Sequence, residues 1–376
     1  MADVSLKQSF WRLRENFLFW ASRKINYPLI APDMLQLCFL FRCNLRCRMC
    51  RMHERYVLLK QQNKCYELSL EVIKYLIRQA SRMKIRNLYL VGGEPFLRED
   101  IFEIIDFADR HRMNTTITTN GTLLDTEMID KILASKLAFL NVSLDGSSEE
   151  VYGRIRGEGI LDKIKEDVRR LTRIKKERGL SFPKVSFLCT IMNQNIGELI
   201  DIVHLTKELG GDGVYFQPVV VDNTDQRLSD TSDPNWVPEE KYRLLDSSID
   251  RLIDFKLSSK ENFDFLGSSL DQLRLTKRYF RKDKGLYFKR RCYQGLSRVI
   301  ITQDARMYFC VEGPVPGETS FGDVRKDKLA DLWRSSEAKR FRVNMKRCQN
   351  PCLLFCSYRT EFDDAMKGIH KRLIKK

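Results

Sequence analysis

The sequence predicts an α/β protein, built as a partial (βα)6 barrel of the TIM type followed by a small cysteine-rich α+β domain. Two observations carry this prediction. Between residues 33 and 220, short apolar runs alternate with helical patterns, which is the order of parallel βα units. The last quarter of the chain instead collects five of the 11 cysteines. A chain of 376 residues is long enough for one large and one smaller domain.

Four regions follow from this pattern. We expect an amphipathic amino-terminal helix in residues 1–32 and the barrel in residues 33–220. Residues 221–285 are expected to form a linker with a helical segment, and residues 286–376 the cysteine-rich domain. In a parallel βα barrel, active residues lie at the carboxyl ends of the strands. The segments that follow the predicted strands are therefore the places to look for a site.

The amino-terminal helix is predicted from Val4 to Ile25. Apolar residues such as Phe17 and Trp20 alternate there with basic residues such as Lys24 at helical spacing. Such a helix can pack on the domain beneath it or lie on a membrane surface. Packing on the domain is the preferred interpretation, because helices that face a core show the same apolar stripe. Peripheral membrane contact is the alternative.

The barrel is predicted from six strands and the helices between them. The predicted strands are Leu35 to Phe41, Ile85 to Val91, Thr115 to Thr119, Ala138 to Leu144, Val185 to Ile191 and Gly213 to Val219. The predicted helices are Ser69 to Met83, Ile101 to His111, Thr126 to Ser135, Leu161 to Arg178 and Ile196 to Leu209. A further helix is expected from Pro238 to Lys256, in the linker.

The first predicted strand leads into a loop that carries Cys43, Cys47 and Cys50 at C-x3-C-x2-C spacing. Three thiolates at this spacing can bind one soft metal centre from a single loop. A four-iron cluster needs four ligands, so three cysteines leave one iron open to a small molecule. Zinc is the alternative, but structural zinc takes a closed set of four ligands, and His53 is the one candidate for the fourth nearby.

A second motif, Gly92-Gly93-Glu94-Pro95, follows the second predicted strand. Glycines at a strand end let the backbone approach a ligand closely, and a carboxylate beside them can accept hydrogen bonds from an ammonium group. Many βα turns carry Gly-Gly, so this motif alone is weak evidence. Its position, one helix and one strand after the cysteine loop, makes the combination specific.

Together the two motifs resemble the signature of the radical S-adenosylmethionine (SAM) enzymes. The resemblance implies a partial barrel and a [4Fe-4S] cluster bound by Cys43, Cys47 and Cys50, with SAM at the open iron. It implies that the Gly92–Pro95 segment binds the methionyl amino group. It also implies that SAM is split to methionine and a 5′-deoxyadenosyl radical, which removes a hydrogen atom from a substrate.

Three more SAM-binding candidates come from the same resemblance. Met49 stands where the family usually places an aromatic residue beside the adenine, and methionine offers a polarizable apolar surface instead. Ser143 lies at the end of the fourth predicted strand, at an edge where the family binds the nucleoside. Arg156 stands where related enzymes place an arginine facing the methionyl carboxylate. Turn chemistry is the alternative for the segment around Ser143, and a surface position is the alternative for Arg156.

The carboxy-terminal cysteines resemble the SPASM or shorter Twitch region that binds an auxiliary cluster in many of these enzymes. The candidate ligands are Cys292, Cys310, Cys348, Cys352 and Cys356. The resemblance implies one auxiliary [4Fe-4S] cluster on Cys292, Cys310 and two of the last three, with Cys348 and Cys352 preferred. Zinc would also be satisfied by four thiolates. Ala305 departs from the pattern, because the turn there usually has glycine.

Two weaker predictions concern the substrate. A thiol that faces the barrel could return a hydrogen atom to a substrate radical, and Cys189 is the weak catalytic candidate; ordinary burial in an apolar strand is the alternative. Gln217, Asp222 and Asn223 lie near the mouth of the last predicted strand, where they could contact a substrate.

Composition limits the partners and the compartment. A net charge of +16 favours anionic partners, but a solvated basic surface is preferred to nucleic-acid binding. The odd number of cysteines, 11, argues against a disulfide framework, and no signal peptide or long apolar span opens the chain. These features predict a protein of the reducing cytoplasm.

The sequence therefore predicts a radical SAM enzyme of peptide or natural-product maturation. Its expected partners are SAM, a substrate for which a peptide is the preferred interpretation, and an electron donor such as flavodoxin or ferredoxin. Two alternatives stay open: a radical SAM enzyme for a lipid- or carbohydrate-linked substrate, and a zinc protein without enzymatic activity that binds nucleic acid.

Overall fold

A computed structural model describes residues 2–50, 52–62, 67–220, 233–283, 292–310 and 320–347. The strands are β1 Met34–Leu40, β2 Asn87–Gly92, β3 Asn114–Thr119, β4 Phe139–Ser143, β5 Lys184–Ile191, β6 Gly213–Pro218, β7 Arg298–Ile301 and β8 Met307–Tyr308.

The helices lie between and after these strands. They are α1 Ala2–Ile25, α2 Met52–Gln61, α3 Leu70–Arg82, α4 Ile101–Arg110, α5 Thr126–Ala134, α6 Glu149–Arg156, α7 Leu161–Glu177, α8 Leu199–Glu208, α9 Tyr242–Ser258, α10 Lys260–Phe265, α11 Leu270–Phe280, α12 Gln294–Ser297, α13 Leu329–Arg334 and α14 Ser336–Asn344. Short 3-10 turns occupy Pro95–Leu97, Glu239–Lys241 and Met345–Arg347. No helix in the described part of the chain has the length and apolar character needed to cross a membrane.

One sheet of eight strands organises the described residues, in the order β6-β5-β4-β3-β2-β1-β7-β8. The strands β1 to β6 are parallel neighbours in chain order, as expected for consecutive βα units. The predicted partial barrel is thereby confirmed. Because parallel strands end at the same edge, the loops after β1 to β6 meet on one side of the molecule.

Side chains alternate between the two faces of this sheet. In β1, Leu35, Leu37 and Phe39 are fully buried in the hydrophobic core. The intervening Gln36 and Cys38 point to the other face, because successive side chains of a strand point in opposite directions. These two residues lie in register with Tyr89 and Val91 of β2. The inner face of the barrel is thus the more polar one, and the outer face is covered by helices.

The helices form where an apolar stripe coincides with a capping residue. In α3, Ile73, Leu76, Ile77 and Ala80 are buried and share one face. Ser69 caps this helix, since its hydroxyl accepts a hydrogen bond from the backbone N–H of Val72 at 3.3 Å. The helix predicted within the linker is also present, as α9.

The carboxy-terminal residues continue the sheet rather than forming a separate layer. Strand β7 pairs in parallel with β1, so that Met34 lies beside Arg298, and β8 pairs antiparallel with β7. The region also has its own aromatic cluster, in which the ring of Phe309 lies 5.1 Å from that of Trp333. The buried Arg342 packs over both rings and donates to the carbonyl of Gly295 at 2.7 Å. Burial lowers the pKa of Arg342 to about 10.

Ala305 sits in a turn whose backbone suits glycine. Its φ of 65° lies in the left-handed region, where a Cβ atom is disfavoured by about 1–2 kcal/mol. We expect Ala305→Gly to raise the free energy of unfolding by about 1 kcal/mol, less the entropy that glycine loses on folding. The same substitution at Ala80, equally buried but inside α3, should lower it by about 1 kcal/mol or more. Chemical denaturation of both variants measures whether the free energy of unfolding rises or falls in each. A lower free energy of unfolding for Ala305→Gly would contradict the prediction.

Candidate active site at the carboxyl ends of the strands

A cavity of about 400 Å³ lies at the edge of the sheet where the parallel strands end. Ten residues singled out from the sequence line it: Cys43, Cys47, Met49, Cys50, His53, Gly92, Gly93, Ser143, Arg156 and Gln217. A larger and more open cleft of about 940 Å³ lies beside α7 and contains none of them. The smaller cavity is therefore the candidate site, because the chemically significant side chains converge there.

The cysteine loop is fixed to the end of β2 by backbone contacts. The N–H of Gly93 donates to the carbonyl of Leu40 at 3.1 Å, and the N–H of Glu94 donates to that of Arg42 at 2.8 Å. The approach is so close that a Cβ atom on Gly93 would lie 1.8 Å from the oxygen of Arg42. Gly92, with φ of 152°, would place a Cβ 2.3 Å from the oxygen of Leu40. The two glycines are therefore required by the backbone geometry as well as by any ligand.

Two of the three thiols, those of Cys43 and Cys47, are partly removed from water, whereas Cys50 is exposed. Burial raises the pKa of Cys43, although the backbone N–H of Leu45 donates to its sulfur at 3.4 Å. Burial also raises the pKa of Cys47 to about 11, and the neighbouring thiol of Cys50 acts in the same direction. Thiols in this state are protonated at neutral pH, so metal binding must release their protons.

The donor set fits an iron–sulfur cluster better than a single ion. Among the described residues, no three His, Cys, Asp or Glu side chains lie close enough to hold one metal ion. A four-iron cluster binds each thiolate at a separate iron atom, so its ligands do not need to converge on one point. The hydroxyl of Tyr152 is buried without a hydrogen-bond partner, one helical turn before Arg156. Such an unsatisfied donor beside the thiols is consistent with an additional polar group there.

Glu94 is tied to the turn that follows β3. Its buried carboxylate accepts hydrogen bonds from the Thr119 hydroxyl at 2.8 Å, the Asn120 N–H at 2.7 Å and the Phe96 N–H at 3.2 Å. Burial raises the pKa of Glu94, and these three donors act against that rise. Neither Glu94 nor Pro95 lines the cavity. The carboxylate therefore fixes the turn after β3, and its contact with the methionyl amino group stays a prediction.

Arg156 is held in the cavity wall by the carboxylate of Asp145. In the sequence, Asp145-Gly146 is a pair typical of a turn. The Nε of Arg156 donates to Asp145 Oδ2 at 2.6 Å, and the other oxygen of Asp145 accepts from the N–H of Thr190 at 2.7 Å. Burial by itself would lower the pKa of Arg156. The negative charge of Asp145 more than offsets this effect, so the pKa of Arg156 is raised. The Nη1 atom lies 3.8 Å from the sulfur of Cys47. A permanent cation thus stands beside the cysteine loop.

The ends of β3 and β4 supply polar groups to the same wall. Asn120 lines the cavity, and its amide donates to Asn44 Oδ1 at 2.8 Å and lies 3.8 Å from the sulfur of Cys43. Ser143 also lines the cavity and is almost fully buried. In the sequence, Asn120-Gly121 directly after a strand is compatible with a ligand contact, but turn chemistry is the preferred interpretation of that pair.

Cys189 does not face the barrel, contrary to its prediction as a catalytic thiol. In β5 the adjacent Thr190 lines the cavity, so the alternation of the strand directs Cys189 to the helix-covered face. Its side chain is 1% exposed, and Asn195 Nδ2 lies 3.7 Å from its sulfur. The alternative of ordinary burial describes it correctly. By the same alternation, Cys38 is the described non-ligand thiol on the inner face.

Two of the five predicted ligands of the auxiliary cluster lie among the described residues. Cys292 and Cys310 are half-buried and pack against the core near β7 and β8. The other predicted ligands and two predicted substrate contacts lie outside the described residues: Cys348, Cys352, Cys356, Asp222 and Asn223.

Fold and site together define an iron–sulfur protein that binds SAM. Residues 37–206 match the model of the radical SAM superfamily, and residues 292–357 match the SPASM model, described as an iron–sulfur cluster-binding domain. Residues 37–206 thus form a radical SAM domain, and residues 292–357 match a SPASM domain. These two matches imply a [4Fe-4S] cluster bound with SAM and an auxiliary iron–sulfur cluster, rather than the zinc of the alternative interpretation.

Sequence relatives match a little under half of the chain. A probable GTP 3′,8-cyclase of Thermococcus kodakarensis is 34% identical over 172 residues, which are 45% of this chain and 51% of that protein. The mycofactocin maturase MftC of Mycolicibacterium smegmatis is 31% identical over 182 residues, 48% of this chain and 43% of that protein. The chain thus spans about half the length of these relatives.

Solved structures extend the likeness of fold to most of the chain. SuiB of Streptococcus suis bound to the precursor peptide SuiA aligns with a TM-score of 0.62 at 16% identity, covering 85% of this chain and 68% of that one. The enzyme anSMEcpe with bound AdoMet and the Cp18Cys peptide aligns with a TM-score of 0.59 at 16% identity, covering 92% and 98%.

Proposed function

We propose that this protein is a radical SAM enzyme that abstracts a hydrogen atom from a peptide during its maturation. The observation that carries the proposal is the convergence of Cys43, Cys47 and Cys50 with Gly93 and Arg156 around one cavity. The chemistry that a bound cluster and SAM supply in this superfamily is reductive cleavage of SAM to methionine and a 5′-deoxyadenosyl radical. The protein contributes ligands, orientation and exclusion of water.

Each polar group of the cavity has a proposed task. Cys43, Cys47 and Cys50 hold the cluster, and the backbone at Gly92 and Gly93 allows SAM to approach β2 closely. The guanidinium of Arg156 pairs with the methionyl carboxylate, because a buried cation beside the cysteine loop matches an anionic group. Three further contacts are proposed to the rest of SAM and to the substrate, and these use Ser143 for the ribose, Met49 for the adenine and Gln217 for the substrate.

The peptide substrate is supported by the names of relatives and structural neighbours. MftC is named a maturase, and both SuiB and anSMEcpe have been solved with peptides bound. Other relatives are named for small molecules, such as GTP and heme. The peptide class is preferred because the peptide-bound structures align over both the barrel and most of the rest of this chain.

The test is an anaerobic assay of the iron-loaded protein with SAM and dithionite. We expect 5′-deoxyadenosine to form slowly without substrate and faster when a cognate peptide is added. Candidate peptides are best taken from short reading frames beside the gene, with glycan- or lipid-linked compounds from neighbouring transferase pathways as the comparison. Stimulation by those compounds alone would replace the peptide proposal with the alternative of a lipid- or carbohydrate-linked substrate. The absence of any SAM cleavage would contradict the enzymatic proposal itself.

We further propose the ligands of the auxiliary cluster, the boundaries between the regions, the electron donor and the compartment. Cys292, Cys310 and two of the last three cysteines bind the auxiliary cluster, and the three boundaries predicted above separate the four regions. A small electron-transfer protein such as flavodoxin or ferredoxin supplies the electron. Free thiols, together with clusters of this oxygen-sensitive type, are best suited to the cytoplasm.

The proposed role of Arg156 gives a direct binding prediction. We expect Arg156→Met to weaken SAM binding by about tenfold or more, since a buried ion pair with the methionyl carboxylate is lost. Asp145→Asn should weaken it less, because the guanidinium stays but loses its charged anchor. Equilibrium dialysis of SAM against the iron-loaded variants measures both effects.

A matched control is available on the same helix. Arg154 is exposed and pairs with Glu150 on the surface, so Arg154→Met should leave SAM binding unchanged. Equal affinity of the Arg156 and Arg154 variants, at unchanged iron content, would contradict the assignment of Arg156.

A further inference from the structure

An exposed apolar surface lies where α1 ends and the chain turns toward β1. Ile25, Tyr27 and Leu29 are 54%, 47% and 47% exposed, and Phe17 earlier in the helix is 43% exposed. We define these four residues as the α1 surface. Large apolar side chains that gather on one exposed surface commonly mark an interaction site, whereas single ones do not.

The opposite side of α1 accounts for its attachment to the protein. Phe19 and Ser22 are fully buried, and the ring of Phe19 meets that of Tyr293 edge-on at 6.5 Å. Phe17 lies on the other side of the helix from Phe19 and Ser22, whereas Ile25, the last residue of the helix, is exposed at the edge between the two sides. The preferred prediction of packing on the domain is therefore consistent with one side of the helix, and it leaves the second apolar side unexplained.

The chain after the helix is held in place by its own backbone. The N–H of Tyr27 donates to the carbonyl of Ser22 at 3.1 Å, and the N–H of Leu29 donates to the Ser22 hydroxyl at 2.9 Å. The turn thus folds back against the end of α1, which fixes Tyr27 and Leu29 beside the helix end. The α1 surface is consequently preformed and does not need to fold on binding.

Positive charge lies near this surface on Arg14 and Lys24, while Arg23 turns toward the Tyr293 ring and donates to the carbonyl of Cys292 at 3.3 Å. Between residues 13 and 31 the cations are Arg14, Arg23 and Lys24, against the single carboxylate of Glu15. Lys346 joins them from the carboxy-terminal region, since its Nζ donates to the carbonyl of Lys24 at 3.2 Å. Partial burial lowers the pKa of Lys346, and the charges of Arg23 and Lys24 add to that effect. An anionic partner would relieve this crowding of cations.

We propose that the α1 surface docks on an anionic lipid bilayer, with its apolar side chains at the acyl boundary and its cations at the headgroups. A helix parallel to the membrane with apolar residues on one side and lysine or arginine beside them is the arrangement that binds such surfaces. Basic residues close to an anionic leaflet add attraction that salt weakens. A neutral apolar partner would not account for the cations. The proposal is independent of the radical chemistry, because none of these residues lines the candidate active site.

Co-sedimentation of the iron-loaded protein with vesicles tests this. We expect binding to vesicles of phosphatidylglycerol and phosphatidylcholine, weaker binding to phosphatidylcholine alone, and loss of binding at high salt. The double variant Ile25→Glu, Leu29→Glu should weaken binding by about tenfold or more, since two apolar contacts become like charges to the lipid. Lys24→Glu should reduce binding to the anionic vesicles while leaving the weak binding to neutral ones.

The matched control places the same changes at the other edge of the sheet. Leu244 and Leu257 of α9 are 47% and 56% exposed, and α9 lies beside α8 near the β6 edge. Leu244→Glu, Leu257→Glu should bind vesicles like the unaltered protein. The proposal fails if anionic vesicles do not bind the protein, if neutral vesicles bind it equally, or if both double variants lose binding alike. A concentration-dependent dimer that Ile25→Glu, Leu29→Glu abolishes, without vesicle binding, would assign the surface to a second copy instead.

Discussion

Alanine in place of any one of Cys43, Cys47 or Cys50 is expected to abolish formation of 5′-deoxyadenosine from SAM. Each of these cysteines is a ligand from one loop, and a cluster with two remaining protein ligands lacks the anchoring that keeps it in the cavity. Chromatographic measurement of 5′-deoxyadenosine under anaerobic conditions tests this. Iron content should fall by about four atoms per chain, because the auxiliary cluster uses other cysteines.

Cys189→Ala is the control for this series. Its thiol points to the helix-covered face, so the variant should keep its iron and cleave SAM. Persistent SAM cleavage in all three loop variants would place the primary site elsewhere. Loss of cleavage in Cys189→Ala at full iron content would revive the prediction that this thiol takes part in the reaction.

The barrel could be predicted because its signals are local. Each strand from β1 to β6 is an apolar run, or in β3 a threonine-rich one, that ends in a turn, and the helices between them repeat their apolar residues at helical spacing. The site was predictable for a related reason. Parallel order alone places the residues after β1, β2 and β4 at one edge, so that Cys43, Gly93 and Ser143 line one cavity.

What could not be predicted depends on contacts between distant residues. The parallel pairing of β7 with β1 joins Met34 to Arg298 across most of the chain, and no local pattern specifies it. The helix α6 was missed, although Ser148 caps it through a hydrogen bond from Val151. Its short and mostly charged sequence gave little periodicity, and so the face that carries Arg156 could not be assigned.

Glu94 and Asp145 illustrate the same limit within the site. A carboxylate beside two glycines suggests a ligand for an ammonium group, and Asp145-Gly146 suggests a turn. In the structure, both carboxylates are buried and hold other parts of the cavity wall, Glu94 at Asn120 and Asp145 at Arg156. Whether a carboxylate binds a ligand or positions a neighbour depends on the direction of its side chain, which residue type does not reveal.

Gly93→Ala is expected to have the largest effect on stability of any single methyl group added at the site. The new Cβ would lie 1.8 Å from the oxygen of Arg42 and 2.4 Å from its carbonyl carbon, and both are backbone atoms that cannot rotate away. The end of β2 and the cysteine loop must therefore separate, at a cost of about 1–3 kcal/mol or more. We expect the melting temperature to fall by about 4–10 °C, together with a loss of the iron bound at the cysteine loop.

The control is Gly197→Ala, where an added Cβ meets no atom within 4 Å. This variant should change the melting temperature by no more than about 1–2 °C, since alanine there adds no clash. If Gly93→Ala were equally stable and retained its iron, the contact between β2 and the cysteine loop would not be needed for the site. If it were stable but lost iron, the contact would serve the cluster more than the fold. The combined loss of stability and iron is the result expected when one backbone contact supports both.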